Sequence, residues 1–129
     1  MFLSDLTEEQ KTAFHSIAMD LIYSDEILDT NEAKLMTKLD KEMGLSKKKA
    51  RQKNQADLLK AFDTKKSKAI MILELFTLAY SDDDFNIDES NYIQNIADSL
   101  GINSIDYTEM KWWAKKKAEL ETEALRFFK

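Results

Sequence analysis

The chain has 129 residues, 43% of them hydrophobic and 33% charged, which is enough apolar material to close one core and too much for a disordered segment. It has no proline and only two glycines, too few turn residues for an all-β sandwich; with no cysteine and one histidine, His15, disulfides, thiolate metal sites, thiol nucleophiles and multi-histidine sites are excluded. A balance of 19 basic against 24 acidic residues leaves a net charge of -5, which argues against general nucleic-acid or anionic-membrane binding.

The chain starts Met1-Phe2-Leu3-Ser4-Asp5, without the basic and apolar run of a signal peptide. Thr7-Glu8-Glu9-Gln10 reads as a capping box, a hydroxyl at the N-cap with a Gln three residues on that reaches back to it. It predicts a helix to about Tyr23 with an apolar stripe of Phe14, Ile17, Ala18, Leu21 and Ile22. After the acidic stretch Asp25-Glu26-Ile27-Leu28, a second box, Asp29-Thr30-Asn31-Glu32, predicts a helix through Leu35, Met36, Leu39 and Met43, closed by Gly44. A basic segment from Lys47 to Lys68 follows, with Leu58, Leu59 and Phe62 as anchors; it reads as one or two helices with a break near Asp63-Thr64. The next helix, Ala69 to Tyr80, is apolar on almost every side, as expected for the centre of a bundle. It is interrupted by Glu74 and falls short of the ~20 residues of a membrane span, so no membrane insertion and a cytoplasmic address are expected.

Asn86-Ile87-Asp88-Glu89 then caps a helix through Tyr92, Ile93, Ile96 and Leu100, closed by Gly101. A last helix is expected from about Ser104 to Phe128, with Tyr107, Met110, Trp113, Ala114, Ala118, Leu120, Ala124, Leu125, Phe127 and Phe128 on one half and Trp112 on the wet side. A shift of 57 positions lays Tyr23-Ser24-Asp25 on Tyr80-Ser81-Asp82, Glu32 on Glu89 and Gly44 on Gly101 without a gap. Both glycines of the chain therefore share one repeat position, the mark of a duplicated unit. The expected fold is all-α: a single domain over 1–129, a compact bundle of six to seven helices built on two related helical hairpins, at about 17–45 and 74–102.

The repeated element, Asp followed seven positions later by Glu with a helix on either side, resembles the TerB-like family linked to bacterial tellurite resistance. The runs Phe2-Leu3-Ser4-Asp5-Leu6-Thr7-Glu8-Glu9-Gln10 and Lys41-Glu42-Met43-Gly44-Leu45-Ser46 are also similar to it, and the resemblance covers Phe2 to about Asn103. It implies a compact helical bundle with a non-enzymatic role in stress response, with metal binding or sensing proposed for the acidic turns. Where the family usually has glycine after the motif aspartate, this chain carries Glu26 and Asp83, each an added carboxylate.

Asp25, Asp29 and Glu32 in the first turn, and Asp82, Asp84, Asp88 and Glu89 in the second, are hard oxygen donors of the type that Ca2+ or another divalent cation takes. The structural alternative is that Asp29, Glu32 and Glu89 serve only as helix caps, where acids are stabilised without metal. The second turn is no EF-hand, since Ile87 and Ile93 stand where that loop needs glycine and a bidentate Glu. Lys47, Lys48, Lys49 and Arg51 form a basic face without interleaved aromatics, which suits a solvated surface or an acidic protein partner better than nucleic acid. Trp112 is a second candidate anchor for a protein partner. Glu74, flanked by Ile70, Met71, Thr77 and Leu78, is expected to be partly desolvated and hydrogen-bonded to another helix, and His15 to sit at the edge of an apolar stripe. No catalytic constellation is visible, no cofactor other than a divalent cation is implied, and the other reading of the chain is a metal-free scaffold that docks proteins through the basic helix and the Trp112 face.

Overall fold

The computed structural model describes residues 2–22, 37–38, 41–42, 55–80 and 87–128, and these contain no strand. A 3-10 turn, Leu3–Asp5, leads into α1 (Glu8–Ile22). The expected capping box closes its start: the Thr7 amide donates to Gln10 Oε1 at 2.9 Å, and the Gln10 amide donates to Thr7 Oγ1 at 3.2 Å. The same Gln10 side chain donates through Nε2 to the Ala61 carbonyl at 2.9 Å, which ties the start of α1 to the turn after α2 (Gln55–Leu59). Leu58, Leu59 and Phe62 are buried, as anchors should be.

The central helix, α3 (Lys65–Ala79), begins four residues earlier than the apolar run suggests. The reason is local. Thr64 is its N-cap and accepts from the Ser67 amide at 3.0 Å, while the Thr64 amide donates to Ser67 Oγ at 3.2 Å, a capping box with serine in the third position. The break at Asp63-Thr64 thus falls where expected, and Lys65, Lys66 and Lys68 belong to the first turn of the central helix rather than to a separate basic one. α3 packs against α1, α4 (Ile87–Ser99) and α5 (Ser104–Ala124), and Ile70, Met71, Ile72, Leu75, Phe76, Leu78 and Ala79 are buried by these neighbours.

Gly101 ends α4 with φ +74°, the Ile102 amide donating to the Ala97 carbonyl and the Gly101 amide to the Asp98 carbonyl, both at 3.0 Å. These two bonds are the Schellman pattern, and the left-handed residue between them is where glycine carries no steric penalty. Asn103 then caps α5, accepting from the Asp106 amide at 2.8 Å. α5 closes in a 3-10 turn, Leu125–Phe128.

Residues 37–38 and 41–42 are helical, within the span expected for the second helix. The acidic turn between the first two predicted helices and Gly44 lie outside the described residues, as does 81–86. One expectation is corrected. The apolar half of the last helix is covered only in its first part: Ala114 is buried, Tyr107 and Met110 are half-buried, and Leu120, Leu125, Phe127 and Phe128 are exposed, because no described element reaches that far along α5.

Candidate functional site

Of the seven candidate cation ligands, Asp25, Asp29, Glu32, Asp82 and Asp84 lie outside the described residues. Asp88 and Glu89 both sit in the first turn of α4, the former exposed and the latter buried, so the two neighbouring carboxylates occupy different environments. Among the described residues no group of three or more acidic or histidine side chains is placed to hold a metal ion. Lys47, Lys48, Lys49 and Arg51 also lie outside the described residues. Trp112 is where it was expected, on the wet side of α5: it is 60% exposed, with Lys116 Nζ 4.9 Å from its ring centroid.

Glu74 is only 2% exposed, at the middle of α3. Its Oε1 accepts from the Phe2 backbone amide at 3.0 Å, which ties down the segment before α1. A second link, Lys66 Nζ to Asp5 Oδ2 at 3.4 Å, fixes the same segment to the first turn of α3. The Phe2 ring is thereby held 6.1 Å from that of Trp113. His15 is half-buried on α1, as an edge residue should be.

These contacts border a feature that sequence reasoning missed, a groove of about 630 Å³ between α3, the α4–α5 connection, α5 and Phe2. Its apolar surface comes from Phe2, Ala69, Leu73, Leu100, Ile102, Met110 and Trp113. Lys65 and Lys68 line it from α3, and Asp106 and Glu109 from α5. Its size and apolar lining with a few charges are those of a binding cleft. The residues come from three separated stretches of chain, Phe2, 65–73 and 100–113, so no local pattern announces it. A smaller cleft of about 310 Å³ lies between α1 and α2, with Glu8, Glu9 and Asp57 around Ala13 and Leu58.

A polar junction gathers around the Tyr92 phenol. The Tyr92 hydroxyl donates to the Ile17 carbonyl at 3.2 Å, and the Asp20 and Gln55 side chains meet the same phenol, joining α1, α2 and α4. Burial, and then the charge of Asp20, push the Tyr92 phenol well above its ordinary value. Burial also raises the Asp20 carboxyl, against the opposing pull of its bond with Tyr92. Tyr80 and Tyr107 are likewise raised, chiefly by burial.

The described elements are all helical and frame an apolar groove. The family model of tellurite resistance protein TerB matches residues 53–112, from the start of α2 to the middle of α5, and this stretch of the chain is similar to that family. The match takes in the second hairpin and most of the groove, whereas the resemblance was expected from Phe2 onward; the first hairpin lies outside the matched segment. No curated protein and no solved structure gives a significant match. Among the described residues no helix is long and apolar enough to cross a membrane.

Proposed function

We propose that this chain is one TerB-like domain with a non-enzymatic, tellurite-resistance-related role in stress response, and that its second acidic turn takes up a divalent cation. The observation that carries the reading is the span of the family match, which includes Asp82, Asp84, Asp88 and Glu89 together with the helices on either side. Carboxylates in that density suit calcium or manganese better than magnesium, which holds its waters more tightly. The first turn, with Asp25, Asp29 and Glu32, is the weaker copy because it lacks the run of three aspartates.

A thermal-denaturation titration tests this. A cation at ~100 times its dissociation constant, bound only to the folded state, adds ~2.7 kcal/mol. At ~2.1 cal/mol/K per residue, that raises the midpoint of a domain of this length by about 10 °C. The expected result is a calcium or manganese shift of that size which Asp82→Asn with Asp84→Asn abolishes. Sodium chloride at matched ionic strength producing the same shift would reduce the turn to screened acids.

In that event the second reading takes over, a metal-free scaffold that docks proteins through Lys47, Lys48, Lys49, Arg51 and the Trp112 face. The exposure of Trp112 favours it, since a large aromatic left in water is the usual anchor of a protein interface.

A further inference from the structure

The α3 wall of the groove keeps its charges apart from its apolar surface. Lys65 and Lys68 stand in the first turn of α3, and Ala69 and Leu73 follow, so the wall runs for about 12 Å and is cationic at one end only. Phe2 is anchored near the other end, its amide on Glu74, the residue after Leu73, and its ring 6.1 Å from that of Trp113. Lys66, between the two groove lysines, is ion-paired with Asp5, whereas Lys65 and Lys68 have no ion pair or hydrogen bond among the described residues. Two carboxylates line the α5 wall, and neither pairs with these lysines. Asp106 accepts from Asn103 Nδ2 at 3.2 Å in the first turn of α5, where a carboxylate is already stabilised, and Glu109 is exposed.

We propose that the groove takes a single-chain amphipathic carboxylate, a free fatty acid of medium chain length. Its carboxylate sits at Lys65 and Lys68, and its chain runs along Ala69 and Leu73 toward Phe2 and Trp113. Three residues apart on one helix face, the two like charges repel mildly, and a bound carboxylate relieves both with a charge-assisted hydrogen bond to each oxygen. Ile102 and Met110 cover the chain from the other side, and about 650 Å³ or less is the scale of a pocket that encloses a small ligand. A bilayer is the poorer match, since it calls for a broad basic face, which Asp106 and Glu109 deny here. None of the groove residues is a candidate cation ligand, so this binding stands apart from the cation reading.

Tryptophan fluorescence of the whole chain is the test, in a Trp112→Phe background that leaves Trp113 as the reporter. Decanoate, decanol and decyltrimethylammonium, used as dissolved monomers, share one chain and differ in the head group. The expected result is a saturable change in Trp113 emission, with decanoate bound about tenfold more tightly than decanol and decyltrimethylammonium the weakest. Lys65→Gln with Lys68→Gln should erase the preference for decanoate, leave decanol binding as it was and keep the helical circular dichroism spectrum. Hexanoate, four methylenes shorter, should bind about 100-fold more weakly than decanoate. Decanoate that leaves Trp113 unchanged at millimolar concentration overturns the proposal, as does a preference that survives the lysine substitutions. Decyltrimethylammonium binding as tightly as decanoate would give the groove to Asp106 and Glu109, and hexanoate binding as tightly would reduce it to a surface ion pair; either result sinks the fatty acid. Phosphatidylglycerol vesicles that bind the chain and are not displaced by decanoate would assign the lysines to a membrane surface instead.

Discussion

Phe76 and Phe127 are the same residue in helical or near-helical backbone, and their surroundings could hardly differ more. Phe76 lies on α3, fully buried, its ring 5.4 Å from that of Tyr107 on α5. Phe127 stands in the closing turn of α5, mostly in water. Around Phe76, α1, α4 and α5 all press on one helix; along the second half of α5 no described element does. A helix that is apolar all round has to be enclosed by its own chain, whereas an apolar stripe only says that something covers one face, and that cover can come from another molecule.

The largest expected effect breaks the comparison if it is wrong. Phe76→Ala should lower the free energy of unfolding by about 3–5 kcal/mol, the loss for emptying a phenylalanine site in a packed core. Phe127→Ala should change it by no more than about 0.5 kcal/mol, as surface substitutions do, when measured by urea denaturation of the monomeric chain. Equal losses at the two positions would mean that the closing turn is packed in solution and that α5 has no free face. Leu73 is intermediate between them, half-buried on α3 and lining the groove, so it serves poorly as a core probe.

A smaller effect sharpens the comparison between the two predicted hairpins. An alanine Cβ at Gly101 would meet nothing within 4 Å, so the cost of Gly101→Ala is that of the left-handed backbone alone, about 1–2 kcal/mol. If the chain is duplicated, Gly44→Ala costs the same. A negligible loss at Gly44 with the full loss at Gly101, again by urea denaturation, would show that the 57-residue offset does not extend to the helix ends.

What could be read in advance divides along the same physical line. Thr7 with Gln10, the break at Asp63-Thr64, and Gly101 as a helix stop are decided by neighbours within four residues, and sequence carries such signals directly. The central place of α3 was legible because apolar residues on every face admit only one environment. The early start of α3 was hidden because serine is a weak cue for the third position of a capping box, where Glu or Gln is expected. Gln10 bonding to Ala61 and Glu74 to the Phe2 amide were out of reach for a different reason: partners 51 and 72 residues away are chosen by the packing of whole helices. The groove is the same case, since its walls meet only after α3, α5 and the start of the chain have assembled.

The smallest effect concerns the Tyr92 junction and is best seen as a pH dependence. Asp20 is held above the ordinary carboxylate value of 3.8, first by burial and against the bond from Tyr92. A folded state that binds this proton more tightly than the unfolded one is favoured by acid. Its contribution is full below 3.8 and falls away as pH rises through the raised folded value, leaving the ionised carboxylate a constant liability at neutral pH. Asp20→Asn keeps an acceptor for the Tyr92 hydroxyl and removes the charge. It should therefore raise the melting temperature slightly at pH 7, and the advantage over wild type should shrink steadily as the pH is lowered toward the ordinary carboxylate range. The size is modest because Asp20 is largely open to water, which screens the charge. A variant that is less stable than wild type at pH 7 and level with it in acid would reverse the sign: the carboxylate would then be favoured by its bond with Tyr92 more than it is penalised by burial, and the junction would be a clamp between α1 and α4 that needs its charge.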